Sequence, residues 1–308
     1  MNKNKFLAYA FLLIFGLAHG KIAISREANE KPNIILILAD DMSYRDLSGL
    51  GQIHFSTPNI DHLMQNGVFF SNAYAGSSEC APSRGSLLTG RHMGHCRIRR
   101  NRSVRGQDHL LPEDTTIAEV LKAAGYATGM VGKWGVGLPG TPGVPNNQGF
   151  DYSCGFYDQS RAHTFYPWYL MENDEVIPLP QNYGFDMENS YKHNRSDVGM
   201  HQYTPEGELI PKGIEKPSEA INSQDYIHQK ALEFVDKNHQ KPFFLYYATQ
   251  LPHGPVITPN LGDYRQKPWD QKHQEWAAMM DHLDRCVGEI IRKTETLGIA
   301  ENTLIFFA

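Results

Sequence analysis

Continuous apolar runs alternate with segments of helical periodicity along most of this chain, and this alternation predicts a mixed α/β fold. Residues 33–39 form a run rich in isoleucine and leucine, which is typical of a strand buried on both faces of a parallel sheet. Further strands are predicted at 126–131, 242–248 and 303–307, with a shorter one at 68–74. We therefore expect a central, mostly parallel sheet flanked by helices.

Helices are predicted between these strands from apolar residues three and four positions apart. Pro58 suits the first position of a predicted helix over 57–66, because proline there loses no hydrogen bond that the helix needs. A second predicted helix covers 115–124, and two longer ones cover 223–238 and 276–297.

Residues 139–220 differ from the rest of the chain, since they are rich in glycine, proline, asparagine and aromatic residues and show weak periodicity. This composition predicts an insertion of loops and short strands, and such segments often shape a substrate pocket. Within it, residues 159–163 with Tyr166, Pro167 and Trp168 are candidates to line a pocket, although aromatic side chains more often pack in a core.

The first twenty residues have the layout of a secretory signal peptide, with Lys3 and Lys5 before an apolar stretch over 6–17. A secreted or periplasmic protein is therefore expected. Without these two lysines, 27 basic residues face 34 acidic ones, which argues against nucleic acid or an anionic membrane as the main partner. No later stretch approaches the length of a membrane span.

An acidic pair, Asp40 and Asp41, directly follows the first predicted strand. Ligands of open α/β sheets bind at the carboxyl ends of strands, and adjacent carboxylates are best tolerated when a cation neutralises them. Oxygen ligands favour calcium or magnesium over zinc. The alternative is a loop that caps a helix, since aspartate is also favoured in caps and turns.

The run from Cys80 to Arg84, C-A-P-S-R, predicts the start of a helix with Pro82 at its first position. Cys80 would then face the positive end of the helix, which favours a thiolate and an anionic ligand such as sulfate or phosphate. Arg84 is always charged and can neutralise such an anion. Taken alone, Cys80 would more often be a small buried side chain, as most free cysteines are.

Followed by Gly85, Leu88, Thr89 and Gly90, this run resembles the C-x-P-S-R-x-x-x-L-x-T-G signature of the type I sulfatases. The resemblance continues through the segments P-N-I-I-L-I-L-A-D-D, T-P-N-I-D-H-L, G-K-W-G-V-G, G-F-D-Y and P-H-G-P. It implies the alkaline phosphatase-like sulfatase fold, and it identifies 21–308 as a sulfatase catalytic domain. We expect this domain to be incomplete at its C-terminus, because the family's last strand continues into an Asp-Asn pair of the metal site.

The resemblance also implies a chemistry for position 80. In this family a maturation enzyme, the formylglycine-generating enzyme, oxidises the cysteine to formylglycine. Asp40, Asp41 and the modified Cys80 then hold a metal ion, usually calcium, with magnesium possible. One hydroxyl of the hydrated aldehyde attacks sulfur, and loss of the proton from the other releases sulfate.

Cationic and imidazole side chains complete the site that the resemblance implies. Arg84 holds the modified residue, while Lys133 and His253 match family residues that contact the sulfate, and His253 is suited to protonate the leaving oxygen. Gly135 departs from the family pattern, which has a histidine there that contacts the hydrated formylglycine. His163, from the loop-rich insertion, and a bound water are the candidates to replace it, and His163 is also a candidate to bind substrate.

The function that follows is hydrolysis of sulfate esters, with a sulfated glycan or an aryl sulfate as substrate. A phosphonate monoester or phosphodiester hydrolase of the same superfamily is an alternative, because relatives with the same machinery cleave phosphorus esters. A second alternative is a truncated, inactive paralogue, since loss of activity would explain both Gly135 and the missing C-terminal residues.

Overall fold

A seven-stranded mixed sheet lies at the centre of residues 31–102, 106–185 and 202–308, which this computed structural model describes. The strands of the described residues are β1 Asn33–Leu38, β2 Ala127–Lys133, β3 Tyr152–Phe156, β4 Tyr169–Glu172, β5 Glu175–Pro178, β6 Gln202–Tyr203, β7 Leu209–Ile210, β8 Phe243–Ala248 and β9 Thr303–Phe307. The α-helices are α1 Pro58–Asn66, α2 Cys80–Thr89, α3 Ile117–Ala123, α4 Ser223–Asn238 and α5 Gln271–Thr296.

The strand order in the sheet is β5-β4-β3-β2-β8-β1-β9. Each pair of neighbours in the run β3-β2-β8-β1-β9 is parallel. The strands β4 and β5 extend the sheet beyond β3 with antiparallel pairing. The short strands β6 and β7 pair with each other outside this sheet. The predicted fold, a mostly parallel sheet flanked by helices, is confirmed.

The central strands are apolar because alternate residues face two separate cores. All six residues of β8 are buried. Leu245 and Tyr247 of this strand join one core cluster with residues of α1, α4 and α5, whereas Phe244 and Tyr246 join a second cluster with residues of α2 and α3. Both faces of the sheet are thus covered, and polar side chains collect where the strands end.

Helix ends are fixed by side chains that satisfy the free backbone N–H groups. In α3, Thr116 accepts a hydrogen bond from the N–H of Glu119, and the Glu119 carboxylate accepts one from the N–H of Thr116. The first turn of α1 is capped from another helix, because Asp284 of α5 accepts from the N–H groups of Asn59 and Ile60 at 3.0 and 2.9 Å.

Two elements differ from the sequence-based expectation. Residues 68–74 form no strand, and Val68 and Phe70 are largely exposed, because no neighbouring strand offers them backbone hydrogen bonds. The long helix α5 begins at Gln271, five residues before the predicted start, in a polar first turn that carries no apolar periodicity.

The described part of residues 139–220 holds strands β3 to β7, of which β3 extends the parallel sheet. Its assignment as an insertion stays a prediction. The predicted signal peptide lies outside the described residues. No helix among those described combines the length and apolarity that crossing a bilayer requires.

Candidate functional site

The candidate site lies where β1, β2 and β8 end, at the carboxyl edge of the parallel sheet. Asp40 and Asp41 follow β1, Lys133 is the last residue of β2, and His253 lies in the loop after β8. The helix α2 begins at Cys80, so the predicted helix start is confirmed, although proline occupies its third position rather than its first.

Asp40 is buried between two cations. Lys133 Nζ lies 2.6 Å from Asp40 Oδ2, and Arg84 Nη2 lies 3.3 Å from Asp40 Oδ1. Burial alone would raise the pKa of Asp40, but the positive charges of Lys133 and Arg84 outweigh it and hold this pKa well below its usual range. Asp40 is therefore an anion, and the two cations beside it leave an excess of positive charge.

The two cations are held in fixed positions. Arg84 Nη1 donates a hydrogen bond to the Lys133 carbonyl oxygen at 2.5 Å. Neither side chain is more than 2% exposed. Arg84 lies one helical turn after Cys80 on α2, so its charge is directed to the same end of the helix. An anion that binds beside Lys133 and Arg84 therefore finds hydrogen-bond donors that are already in position and need little reorganisation.

Two histidines lie against this cluster. His163 Nε2 is 3.2 Å from Lys133 Nζ, and its ring stacks on that of His253 with the centroids 3.9 Å apart. Burial and the nearby charge of Lys133 lower the pKa of His163 to about 2. The His163 ring is thus neutral at physiological pH, and its Nε2 can accept a hydrogen bond from the ammonium.

Asp41 and His253 form the more open side of the site. His253 Nε2 lies 3.3 Å from Asp41 Oδ2, while its other ring nitrogen, Nδ1, contacts the Gly254 carbonyl oxygen. Asp41 has a φ of +62°, a left-handed conformation that turns the chain just after Asp40. Its side chain is 61% exposed and accessible to a ligand from solution.

Potential metal ligands converge at two overlapping points. Single ligand atoms of Asp41, Cys80 and His253 lie within 4.8 Å of one another, and so do those of Asp40, His163 and His253. Such spacing fits ligands around one divalent ion. A sulfur ligand at Cys80 suits zinc, whereas an oxygen-bearing group there, with the two aspartates, suits calcium or magnesium.

The thiol of Cys80 is not activated. Burial raises its pKa, and the positive charges of Lys133 and Arg84 offset this only in part. The thiolate that the helix start led us to expect is therefore not favoured. All four cysteines are free, and Cys80 is the most accessible of them.

The pocket-lining candidates separate into two groups. Gln159 and His163 lie beside the cluster, whereas Tyr166 packs in the core against Phe185 and Trp168 is half-exposed at the surface. Sequence reasoning missed Gln107, whose Oε1 accepts a hydrogen bond from the Gln159 backbone N–H at 2.7 Å. No motif marks it, because it contacts a segment 52 residues further along the chain.

Known proteins resemble this chain in sequence over most of its length. The family model described as Sulfatase matches residues 32–308. An N-acetylgalactosamine-6-O-sulfatase of Bacteroides thetaiotaomicron is 32% identical and aligns with 91% of this chain and 58% of its own. Arylsulfatase G of Rattus norvegicus is 34% identical over 90% of this chain and 51% of its own. This chain thus spans about half the length of these curated relatives.

Solved structures show the same similarity. Ps i-CgsB in complex with k-i-k-neocarrahexaose superimposes with a TM-score of 0.67 at 31% identity, over 90% of this chain and 58% of its own. The phosphonate monoester hydrolase of Agrobacterium radiobacter shares the fold at 18% identity, with a TM-score of 0.59 over 90% of this chain and 62% of its own.

Proposed function

Because this chain belongs to the sulfatase family, we propose that the protein hydrolyses sulfate esters. The observation that carries this proposal is the buried cluster in which Lys133 and Arg84 flank Asp40 beside the start of α2. Its excess positive charge and fixed donors suit a sulfate group, which remains anionic throughout hydrolysis.

The proposed nucleophile is formylglycine, produced from Cys80 by a maturation enzyme with an external oxidant. The raised pKa of the Cys80 thiol supports this, because the unmodified side chain would be largely protonated and weakly nucleophilic at neutral pH. When hydrated, formylglycine would supply two hydroxyls on one carbon. Attack of one on sulfur would break the sulfur–oxygen bond to the alcohol, and transfer of the proton of the other to a neighbouring base would break the carbon–oxygen bond to sulfate and restore the aldehyde.

We propose that Asp40, Asp41 and the modified residue 80 hold a divalent ion, with calcium favoured over magnesium. The convergence of ligand atoms from Asp41, Cys80 and His253 supports a cation at this point. Oxidation of Cys80 would replace a sulfur ligand by oxygen, the ligand that calcium prefers. A bound cation would supply electrophilic stabilisation of the developing negative charge.

Side chains of this chain then position and protonate the substrate. Lys133 and Arg84 bind sulfate oxygens, and neutral His163 holds the Lys133 ammonium in place through its Nε2 at 3.2 Å. His253 protonates the leaving alcohol oxygen. Since its Nε2 contacts Asp41 here, the ring must release that carboxylate when it donates its proton.

A sulfated glycan is the proposed substrate class, with aryl sulfates as the alternative. Support comes from the relative named N-acetylgalactosamine-6-O-sulfatase and from Ps i-CgsB, solved in complex with k-i-k-neocarrahexaose. We further propose a secreted or periplasmic location, from the layout of residues 1–20. N-terminal sequencing of the exported protein tests this location.

The activity is tested on full-length protein produced together with a formylglycine-generating enzyme and assayed with calcium. Nitrophenyl sulfate and nitrophenyl phosphonate are compared with 6-sulfated N-acetylgalactosamine as substrates, with Cys80→Ala as the control. We expect turnover of a sulfate ester that the control lacks. Faster cleavage of the phosphonate would favour the phosphonate hydrolase, whose fold this chain shares.

A further inference from the structure

The residue after Trp134 in the motif G-K-W-G-V-G is Gly135, and the space above it is filled by another side chain. A Cβ atom added at Gly135 would lie 2.3 Å from Gln159 Oε1 and 3.7 Å from Arg84 Cδ. Gly135 also has a φ of +77°, in the left-handed region. The Gln159 side chain therefore occupies the place that a side chain at position 135 would take.

The amide of Gln159 lacks the hydrogen bonds that its burial requires. Gln159 is 2% exposed, and neither its Oε1 nor its Nε2 has a hydrogen-bond partner among the described residues. A buried amide without protein partners costs free energy, so such groups are rare, and an ordered water or a ligand satisfies them. The Gln159 backbone N–H, in contrast, is satisfied by Gln107.

The position of Gln159 ties it to the site already described. Gly135, which it covers, is two residues after Lys133, and Arg84 lines the same space. Gln159 also lies four residues before His163, which contacts the Lys133 ammonium. The unsatisfied amide is thus held close to Arg84, one of the two cations that we propose to bind sulfate.

We infer that the Gln159 amide, which fills the space left by Gly135, is a substrate-binding group that donates a hydrogen bond to the sulfate ester. This inference rests on the proposed function. An amide does not titrate, so Gln159 binds and orients the sulfate without moving a proton. It therefore supplies the polar contact at this position, while proton transfer stays with His253.

The sharpest variant is Gln159→Met, which keeps the shape of the side chain and removes both polar atoms. A matched control is Gln148→Met, since Gln148 is also buried but lies beside Thr116 at the start of α3 and donates to the Pro142 carbonyl oxygen. A third variant, Gln159→Glu, keeps the shape and adds a negative charge that would repel sulfate.

The first measurement is direct binding, made by calorimetry with a sulfate ester and calcium in the non-reacting Cys80→Ala background. We expect Gln159→Met to weaken binding about 10- to 100-fold, as for a hydrogen bond to a charged group, and Gln159→Glu to weaken it further. Gln148→Met should bind like its parent. The unfolding midpoint of Gln159→Met should equal or exceed that of the parent, because no protein hydrogen bond is lost.

Two results would overturn the inference. One is unchanged affinity in Gln159→Met, together with unchanged kcat/KM when Cys80 is present and matured. The other is a lower unfolding midpoint with a loss of affinity that Gln148→Met reproduces, which would show a structural role. If the parent neither binds nor turns over a sulfate ester, the proposed function fails as well, whereas a functional parent with an unaffected Gln159→Met refutes this inference alone.

Discussion

Replacing Lys133 by methionine should remove the main stabilising partner of the buried Asp40 carboxylate. The ammonium of Lys133 is fully buried and lies 2.6 Å from Asp40 Oδ2. Arg84 would remain as the other cationic neighbour, at the longer distance of 3.3 Å. Methionine keeps the length of the side chain, so the change is chiefly electrostatic.

The structure supplies a matched control for this change. Lys122 Nζ lies 2.7 Å from Asp151 Oδ1, almost the same distance, but the two side chains are 49% and 44% exposed. Breaking a buried pair from one side typically costs about 3–5 kcal/mol, because a charge is left uncompensated. An exposed pair contributes about 0.2–1 kcal/mol. Lys133→Met should therefore lower the free energy of unfolding several times more than Lys122→Met.

The assay is urea unfolding at pH 7 with a chelator present, so that metal binding does not contribute. If Lys133→Met loses no more free energy of unfolding than Lys122→Met does, the electrostatic account of the cluster is refuted.

The pH dependence of unfolding gives a second check. The folded-state pKa of Asp40 is depressed, so its contribution is present above the usual carboxyl pKa of about 4 and is lost as pH falls. The difference in the free energy of unfolding between the parent and Lys133→Met should accordingly become smaller below about pH 4.

Three further predictions concern the metal site and the fold. Calcium should raise the unfolding midpoint of the matured protein, and Asp41→Asn should reduce this rise, whereas an equal rise in both would exclude Asp41 as a ligand. Thr116→Ala should cost about 1 kcal/mol in urea unfolding, since it removes the capping box with Glu119; an unchanged value would mean that this cap adds nothing. Gly132→Ala should cost at least about 1–3 kcal/mol, because its Cβ would lie 1.9 Å from the Ala248 carbonyl oxygen at a φ of +114°. A fully stable Gly132→Ala protein would contradict the close pairing of β2 and β8.

Much of the fold could be predicted because its signals are local. The apolar run before Asp40 becomes a central strand, and Pro58 begins a helix where expected. Residues 68–74 failed as a predicted strand because an apolar run forms one only where a neighbouring strand pairs with it. That partner cannot be recognised from the run itself.

The sequence identified most residues of the candidate site, but it did not predict which of their side chains contact one another. Motif order led to Asp40, Lys133 and His253, and the structure brings them to one edge of the sheet. The Gln159 side chain over Gly135 was not foreseen in that role, because it depends on how a segment 24 residues further on packs. The sign of the Cys80 pKa shift was also missed, since the loss of hydration on burial outweighs the positive charges of Lys133 and Arg84.

The central claim is that the side chain at position 80 is converted to an aldehyde, whose hydrate carries the hydroxyl that attacks sulfur. Its most direct test is the mass of the tryptic peptide 46–84, taken from a preparation that actively hydrolyses a sulfate ester. The account predicts a peptide about 18 Da lighter than the cysteine form, as exchange of the thiol for an aldehyde requires. An active preparation that carries only unmodified cysteine at position 80 would contradict it.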